Sequence, residues 1–444
     1  MKKRTYNRPF RRQVDNWVRS AISTGMLEFD QIVTHIPSVY PSSVLDSLKR
    51  LSSTSKTAER VLINALKCIQ GEPIYTSTKL YSVSLPVPHP LDFDWRFADE
   101  SIERLLEVCL SNTGSGDTIC FVGTPSLFRG AIELQLPRQV TLIDSNRCLI
   151  DRFRGTNQVS GQFETVVCNV LGDSIPNIGA KAVVVDPPWY DEYVDAFLYA
   201  ASQLCIPGGK ILLSMPPPGT RPGIVELWFR VLDWSKYLGL TMIKTKPGYL
   251  PYLSPPFERN ALRADGINSY PERWRRGDLV EFELKSKDVF QIPLVLLQEM
   301  SWVEATIRGV RIRVRHNSNN NFVNPSLKSV IPGDVLPTVS RRDNRRYLAD
   351  VWTSGNRIFA CESPMILTLI LQSLATSNSP REVVAKSTGR ELNDKEVTQI
   401  KAVVKQLMEL VELEHSEYAS FMEEQRNEFI GLPLLRATPV GSTT

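Results

Sequence analysis

The sequence predicts an α/β protein: a doubly wound, mostly parallel sheet with helical and β-rich units on either side. Three observations carry that prediction. From Trp95 to about Lys285, short apolar runs alternate with helical spacings, the rhythm of parallel strands joined by crossover helices. Four of those runs end in small, acidic or amide residues, at the edge where such sheets bind ligands. Outside this stretch the rhythm changes, to helices before it and to an alternating strand and helical segments after it.

Composition bounds the partners. At 444 residues the chain suits about two to four domains, and 42% hydrophobic with 23% charged residues is the balance of a soluble globular protein. With a net charge of only +4, attraction to a polyanion must come from local patches. No run reaches the ~20 apolar residues of a membrane helix, and no apolar core follows Met1-Lys2-Lys3-Arg4, so a cytoplasmic location with no membrane partner is expected. Seven cysteines without a Cys-x-x-Cys pair read as reduced core thiols. Four scattered histidines supply no metal-ligand pattern, and no metal is expected.

Residues 1–85 read as a helical domain. Arg11 to Ile22 places Val14, Trp17, Val18 and Ala21 on one side and stops at Gly25. A short helix follows around Phe29 to His35, then Pro37 to Pro41, then a helix from Ser42 or Ser43 with Val44, Leu45, Leu48 and Leu51 on one face. That is the plan of a helix-turn-helix, with Ile74 to Leu85 as a wing. The alternative is a helical interaction domain that touches no nucleic acid.

Pro86, Pro88 and Pro90 form a stiff connector and mark the boundary of a sheet domain over 91–286. Its strands are Thr118 to Val122, Val140 to Ile143, Phe163 to Val167, Ala182 to Val185 and Lys210 to Met215, with late strands at Thr241 to Lys244 and Leu279 to Leu284. Helices are expected at Ser101 to Leu110, after Ser126, at Tyr193 to Leu204 and at Ile224 to Tyr237. Residues 287–360 form a small basic β-rich region. Within it Ile312 and Val314 alternate with Arg311, Arg313 and Arg315, and Arg341, Arg342, Arg345 and Arg346 follow. This is either a phosphate-binding surface or an edge strand guarded by charge. Residues 361–430 read as a helical domain whose stripe of Val397, Ile400, Val404, Leu407 and Val411 is core, or an interface with a partner or second copy. Residues 431–444 read as a flexible tail.

The chemistry gathers at the strand ends. Gly123 follows the first strand, where a glycine lets a cofactor approach the backbone. Asp144 ends the second about 20 residues later, the spacing at which an acid meets ribose hydroxyls. Asn169 and Asp173 follow the third, within reach of an adenine edge. The fourth ends in Asp186-Pro187-Pro188-Trp189, a carboxylate and an indole on a backbone stiffened by two prolines.

In this order the set resembles the class I S-adenosylmethionine-dependent methyltransferases. Phe121-Val122-Gly123-Thr124-Pro125 stands where that family has its glycine-rich first motif, and Asp144 where it has its ribose acid. Asp186-Pro187-Pro188-Trp189 is similar to the Asp/Asn-Pro-Pro-aromatic motif of amino-group methyltransferases, above all the adenine-N6 enzymes. The resemblance implies a Rossmann-like fold and S-adenosylmethionine bound by Phe121, Gly123, Thr124, Pro125, Asp144, Asn169 and Asp173. It further implies methyl transfer to the N6 amine of adenine in DNA or RNA. The amine would donate hydrogen bonds to the Asp186 carboxylate and the Pro187 carbonyl, with Pro188 stiffening the corner and the base stacked on Trp189. Tyr190, Arg259, Arg263, Arg275, Arg276, Arg311, Arg313 and Arg315 are candidate nucleic-acid contacts. Ion pairing of the arginines with Glu258, Asp265 and Glu272 is the alternative within 255–276.

Thr124-Pro125 stands where the family has a second glycine, which keeps a non-catalytic binding module as an alternative. A lysine methyltransferase is another. An aminopropyl transferase similar to the branched-polyamine synthases is a third, weakened because Thr124-Pro125-Ser126 offers no acid to a polycation.

Overall fold

The computed structural model describes residues 3–36, 38–71, 84–155, 161–287, 301–316 and 324–424. The N-terminal unit has helices α1 (Lys3–Ser23), α2 (Phe29–His35), α3 (Pro41–Ser52) and α4 (Lys56–Cys68). The last starts at Ser55, whose hydroxyl accepts from Ala58 N–H, and it adds a helix to the expected plan. Val18, Ile32, Val44, Leu48 and Ala65 form a core that continues onto Leu262, Tyr270 and Trp274 of the next domain. The unit is therefore docked on the sheet domain through shared apolar packing. The expected wing lies, as far as residue 83, outside the described residues.

The central domain runs α5 (Asp99–Ser111), β1 (Thr118–Val122), α6 (Pro125–Glu133), β2 (Gln139–Asp144), α7 (Arg147–Arg154), β3 (Phe163–Val167), β4 (Ala180–Val185), α8 (Asp191–Leu204), β5 (Cys205–Met215), α9 (Ile224–Tyr237), β6 (Leu240–Pro251), α10 (Pro256–Ala264) and β7 (Arg276–Leu284). The strand order is β3-β2-β1-β4-β5-β7-β6, with β7 antiparallel to both neighbours. Alternation along the strands sorts side chains between two cores. Ile119, Phe121, Ala182 and Val184 join one, while Cys120, Val122, Val183 and Val185 join the other. Helices cover both faces, so this is a Rossmann-like doubly wound sheet. Its order reverses between β1 and β4, which opens a crevice at their carboxyl ends, Gly123 and Asp186.

The C-terminal half departs from the expected division into two domains. Strands β8 (Trp302–Ile307), β9 (Val310–Arg315), β10 (Lys328–Ser329), β11 (Val351–Thr353) and β12 (Ile358–Ala360) form an antiparallel sheet in the order β10-β12-β11-β9-β8. Helices α11 (Pro364–Ala375), α12 (Pro380–Thr388) and α13 (Asp394–Glu424) share one core with it. Ile400, Leu407 and Val411 of the α13 stripe meet Ile312 and Val314 there, so those three positions are internal packing. Buried Glu414 fixes the helix: it accepts from Gly355 N–H, the Thr353 hydroxyl, Arg357 and Tyr418. No helix among the described residues is long and apolar enough to cross a membrane.

Candidate active site

The corner after β4 is tight. Asp186 N–H extends the ladder to Val122 O, and Tyr190 N–H turns back onto Pro188 O at 2.6 Å before α8 begins. Arg221 donates to Trp189 O at 2.7 Å and pins the indole's backbone. Asp186 Oδ1 accepts from the Tyr252 hydroxyl at 2.6 Å, and that oxygen lies 2.6 Å from Ser214 Oγ. Burial pushes the Asp186 carboxyl up to about 7, against the hydrogen bonds from Tyr252 and Ser214 that pull it down. A carboxylate titrating near neutrality, held from one side, is suited to receive a proton.

Two cavities meet at this corner. The smaller, about 260 Å³, is bounded by the ends of β1 to β4. Gly123 forms its floor with φ +65°, and a Cβ there would sit 2.9 Å from Phe197. Pro125 is at the first turn of α6, where proline's missing N–H costs nothing. Thr124 is 2% exposed and outside the cavity wall, so threonine in place of a second glycine leaves the opening clear. Asp144 Oδ1 accepts from Asn146 N–H at 2.8 Å, and its carboxyl is pushed up to about 7 by burial, with Asp94 and Asp92 adding to the rise. It faces the cavity without a cationic partner among the described residues. Ile143, Leu149, Val170 and Leu171 make apolar walls.

Two of the expected cofactor residues are corrected here, besides Thr124. Phe121 is a fully buried core residue of β1. Asp173 closes its own loop, accepting from Asn169 N–H at 2.8 Å, and lies outside the cavity wall. Asn169 does line the cavity, although its side-chain oxygen already accepts from Leu171 N–H.

The larger cavity, about 500 Å³, shares Phe93, Trp95, Asp186 and Pro188 with the smaller. Its walls come from distant parts of the chain: Arg11 and Val14 on α1, Ser42, Asp46 and Arg50 on α3, Trp189 and Tyr190 after β4, and 337–340 from the C-terminal unit. Thus the polar face of α3, the third helix of the expected helix-turn-helix plan, looks into this cavity. Phe93 holds a left-handed backbone (φ 54°) at the junction and packs edge-on against Tyr190 and Tyr193. Arginines cover the aromatic faces. Arg275 lies over Trp95, Trp189 and Trp274, Arg221 over Tyr190, and Arg341 over Phe93, Tyr190 and Tyr193.

Most of the arginines expected to grip nucleic acid are engaged elsewhere. Arg275 is buried against fully buried Glu258, which also accepts from Trp95 Nε1. Arg259 is buried, bonded to Glu272 and to Ser254 O. Arg263 sits on α10, and Arg276 donates to Arg273 O; neither lines either of these two cavities. Arg311, Arg313 and Arg315 are no phosphate surface and no edge. Their strand is interior to its sheet, Arg311 is 3% exposed, and Arg311 and Arg313 are paired with Asp92 and Glu304. Arg315 binds Ala349 O and lies 3.5 Å from Asp350.

Several site residues escaped the sequence reading. Ser214, near the end of β5, was open to the same strand-end rule that found Asp144 and Asp186. Asp92, Phe93, Asp94 and Trp95 alternate acid and aromatic just after the proline connector, a signal in itself. Tyr252 reaches Asp186 only through the antiparallel return of β6 and β7, and Tyr40 only through docking of the N-terminal unit.

No protein family matches the sequence, and no curated protein matches it. Among solved structures, the chain is similar to a branched-chain polyamine synthase mutein of Thermus thermophilus in complex with N4-aminopropylspermidine and 5'-methylthioadenosine (TM-score 0.45, 13% identity, 64% of this chain and 94% of that one). It is also similar to a TehB-like SAM-dependent methyltransferase of Corynebacterium glutamicum (0.29, 13%, 42% and 89%) and to TrmN of Thermus thermophilus (0.29, 14%, 41% and 48%). All three scores lie below 0.5, and function is argued from the site's own residues.

Proposed function

We propose that this chain is an S-adenosylmethionine-dependent N-methyltransferase acting on the N6 amine of adenine in a nucleic acid. The observation that carries the proposal is the meeting of two cavities at one carboxylate, Asp186, with the donor's cavity on one side and the amine's on the other. The residues of the smaller cavity fit the cofactor. Gly123 clears the backbone, the buried Asp144 carboxylate needs hydroxyl donors of the kind a ribose offers, and Leu149, Val170 and Leu171 suit an adenine ring. When bound, S-adenosylmethionine supplies a methyl group on a sulfonium.

The chain's own residues do the rest. Tyr252 holds Asp186 Oδ1, leaving the other oxygen for the amine. Accepting hydrogen bonds from the amine at Asp186 and the Pro187 carbonyl would localise the nitrogen lone pair and aim it. Asp186 is then placed to take the proton that the amine releases. The aromatic walls give a base its stacking surface, worth ~1–3 kcal/mol per base. The arginines over those walls are paired with Glu258, Asp191 and Glu192, so it is the stacking surface, and not a net charge, that favours a flat base over a polycation.

A second reading rests on one observation. A carboxylate near 7 is also a base for an aliphatic ammonium, as in lysine methylation or aminopropyl transfer to a polyamine. Transfer from methyl-labelled S-adenosylmethionine to DNA, RNA and protein pools, and from decarboxylated S-adenosylmethionine labelled in its aminopropyl chain to a polyamine pool, decides between them. Label in N6-methyladenine is the expected result; label only in protein or polyamine overturns the adenine assignment, and no label in any pool overturns the methyltransferase itself.

A further inference from the structure

Arg313 enters the wall of the smaller cavity from the C-terminal sheet, a unit that the sequence assigns to surface contacts. It is the one cation among the described residues of that wall, which also carries Asp92, Asp94, Asp144 and Asp186. Its position is tightly set. Nε donates to Glu304 Oε2 at 2.7 Å and Nη2 to Asp92 Oδ1. The neighbouring Arg311 clamps the same two carboxylates and donates to Val87 O, which ties β9 to the connector just ahead of the cavity wall. Nη1 of Arg313 has no protein partner among the described residues, and the side chain retains 17% exposure. The charge count is as informative. Arg311 and Arg313 balance Asp92 and Glu304, so the fork adds a free donor without a large excess charge.

We infer that Arg313 receives the α-carboxylate of the cofactor's amino-acid end and so selects a carboxylate-bearing sulfonium over its decarboxylated counterpart. The inference rests on the cofactor reading above and adds the C-terminal unit to the cofactor site. A carboxylate entering a cavity walled by acids is costly unless it accepts hydrogen bonds there, and the Nη1 N–H groups of Arg313, its charge already balanced by Asp92 and Glu304, are the guanidinium donors on that wall. The acids beside it are themselves held, Asp92 by Arg311 and Arg313 and Asp94 by Arg96. A donor that lacks the carboxylate would leave Nη1 unmatched. The consequence for chemistry is direct: methyl transfer uses the intact amino-acid end, whereas aminopropyl transfer uses the decarboxylated one.

The test is calorimetric binding of S-adenosylhomocysteine and of 5'-methylthioadenosine, which lacks the amino-acid end, to the wild-type full chain and to Arg313→Gln. Arg313→Gln should weaken S-adenosylhomocysteine at least tenfold and leave 5'-methylthioadenosine within twofold. The second ligand reports whether the cavity survives loss of the Asp92 and Glu304 bonds. Equal weakening of both ligands would make Arg313 a structural strut, and no weakening of either would remove it from the site; both outcomes overturn the inference. Arg313→Lys should restore part of the S-adenosylhomocysteine affinity, and failure to do so counts against a charge contact. Wild-type chain that binds neither ligand overturns the cofactor reading itself, before any variant is compared.

Discussion

The two cavities that meet at Asp186 are built in different ways. The smaller is made mostly by the ends of consecutive parallel strands, and the register of β1 to β4 sets Gly123, Asp144 and Asp186 side by side. The larger is made by docking: α1 and α3, Phe93 and Trp95, the corner after β4 and residues 337–340 each supply a wall. A sheet places its strand ends by local hydrogen bonding, so most of the first cavity exists once the sheet exists, with residues 91–95 and Arg313 closing it. The second depends on three units keeping their relative positions. Changes that separate the two should therefore act on transfer without touching cofactor affinity, or the reverse.

The largest separation is expected from Asp186→Asn. Transfer should fall ~10³-fold, the scale of a lost acid–base group, while S-adenosylhomocysteine affinity stays within a few-fold. The same variant should gain stability. Burial raises the folded carboxyl from 3.8 to about 7, so its stabilising contribution is complete below about 4 and is lost as pH rises through 7. At ~1.4 kcal/mol per unit, removing the charge is worth a few kcal/mol above pH 7. Melting at pH 8 should therefore rise in the variant and converge with wild type near pH 4. Undiminished transfer would show that the corner after β4 is not where the amine is held.

Asp144→Ala works on the other cavity. Without a carboxylate for the ribose hydroxyls, S-adenosylhomocysteine and 5'-methylthioadenosine should both weaken by ~10–100-fold, since each keeps the ribose and loses hydrogen bonds to a charged group. That parallel loss contrasts with the one-sided loss expected at Arg313. A ribose acid and a carboxylate receiver on the same cavity are thus told apart by two ligands. If Asp144→Ala left both affinities unchanged, the second strand end would have no part in binding.

What the sequence made legible follows the same division. Short β-branched runs with polar ends gave β1 to β5 within a residue or a few, because a strand buried on both faces has a local signature. The arginines of β9 were misread for a physical reason. Period-2 alternation shows which residues share a face but not what covers that face, and here Asp92 and Glu304 cover it. Glu258 and Arg275 lie 17 residues apart and pair inside the protein, so of the two readings of that charged stretch, phosphate grip or ion pair, this pair follows the second, as a buried strut under the aromatic wall. Likewise, the α13 stripe was equally compatible with a partner and with the chain's own sheet; only the antiparallel strands of the C-terminal unit decide.

Gly277→Ala tests how closely the aromatic corner is packed. A Cβ on Gly277 would come within 2.8 Å of Ser214 Oγ, 3.2 Å of Tyr252 Cε2 and 3.3 Å of Trp189 Cζ2. The Ser214 hydroxyl can swing aside, but the two rings must then shift by a few tenths of an ångström. Misplacement on this scale should lower kcat about tenfold with S-adenosylhomocysteine affinity unchanged. Loss of affinity equal to the loss of kcat would mean that the two cavities are not separable at this corner.

The smallest effect, and the most specific, is expected from Tyr252→Phe. The ring's packing is kept: Phe97 at 4.9 Å and Trp189 at 5.5 Å still have an aromatic neighbour. What is lost is the hydroxyl that donates to Asp186 Oδ1. That hydrogen bond favours the ionised carboxylate and opposes the rise caused by burial, so without it Asp186 titrates above its wild-type value of about 7. If the reaction needs ionised Asp186, the acid limb of the pH–rate profile moves to higher pH in the variant. Transfer at pH 7 should drop several-fold, on the order of one pKa unit, and recover towards the wild-type rate near pH 9. A drop of the same size at every pH would mean that Tyr252 orients the substrate rather than tuning the carboxylate. An unchanged profile would mean that Asp186 does not need its charge, and the case for a proton-accepting corner would fail with it.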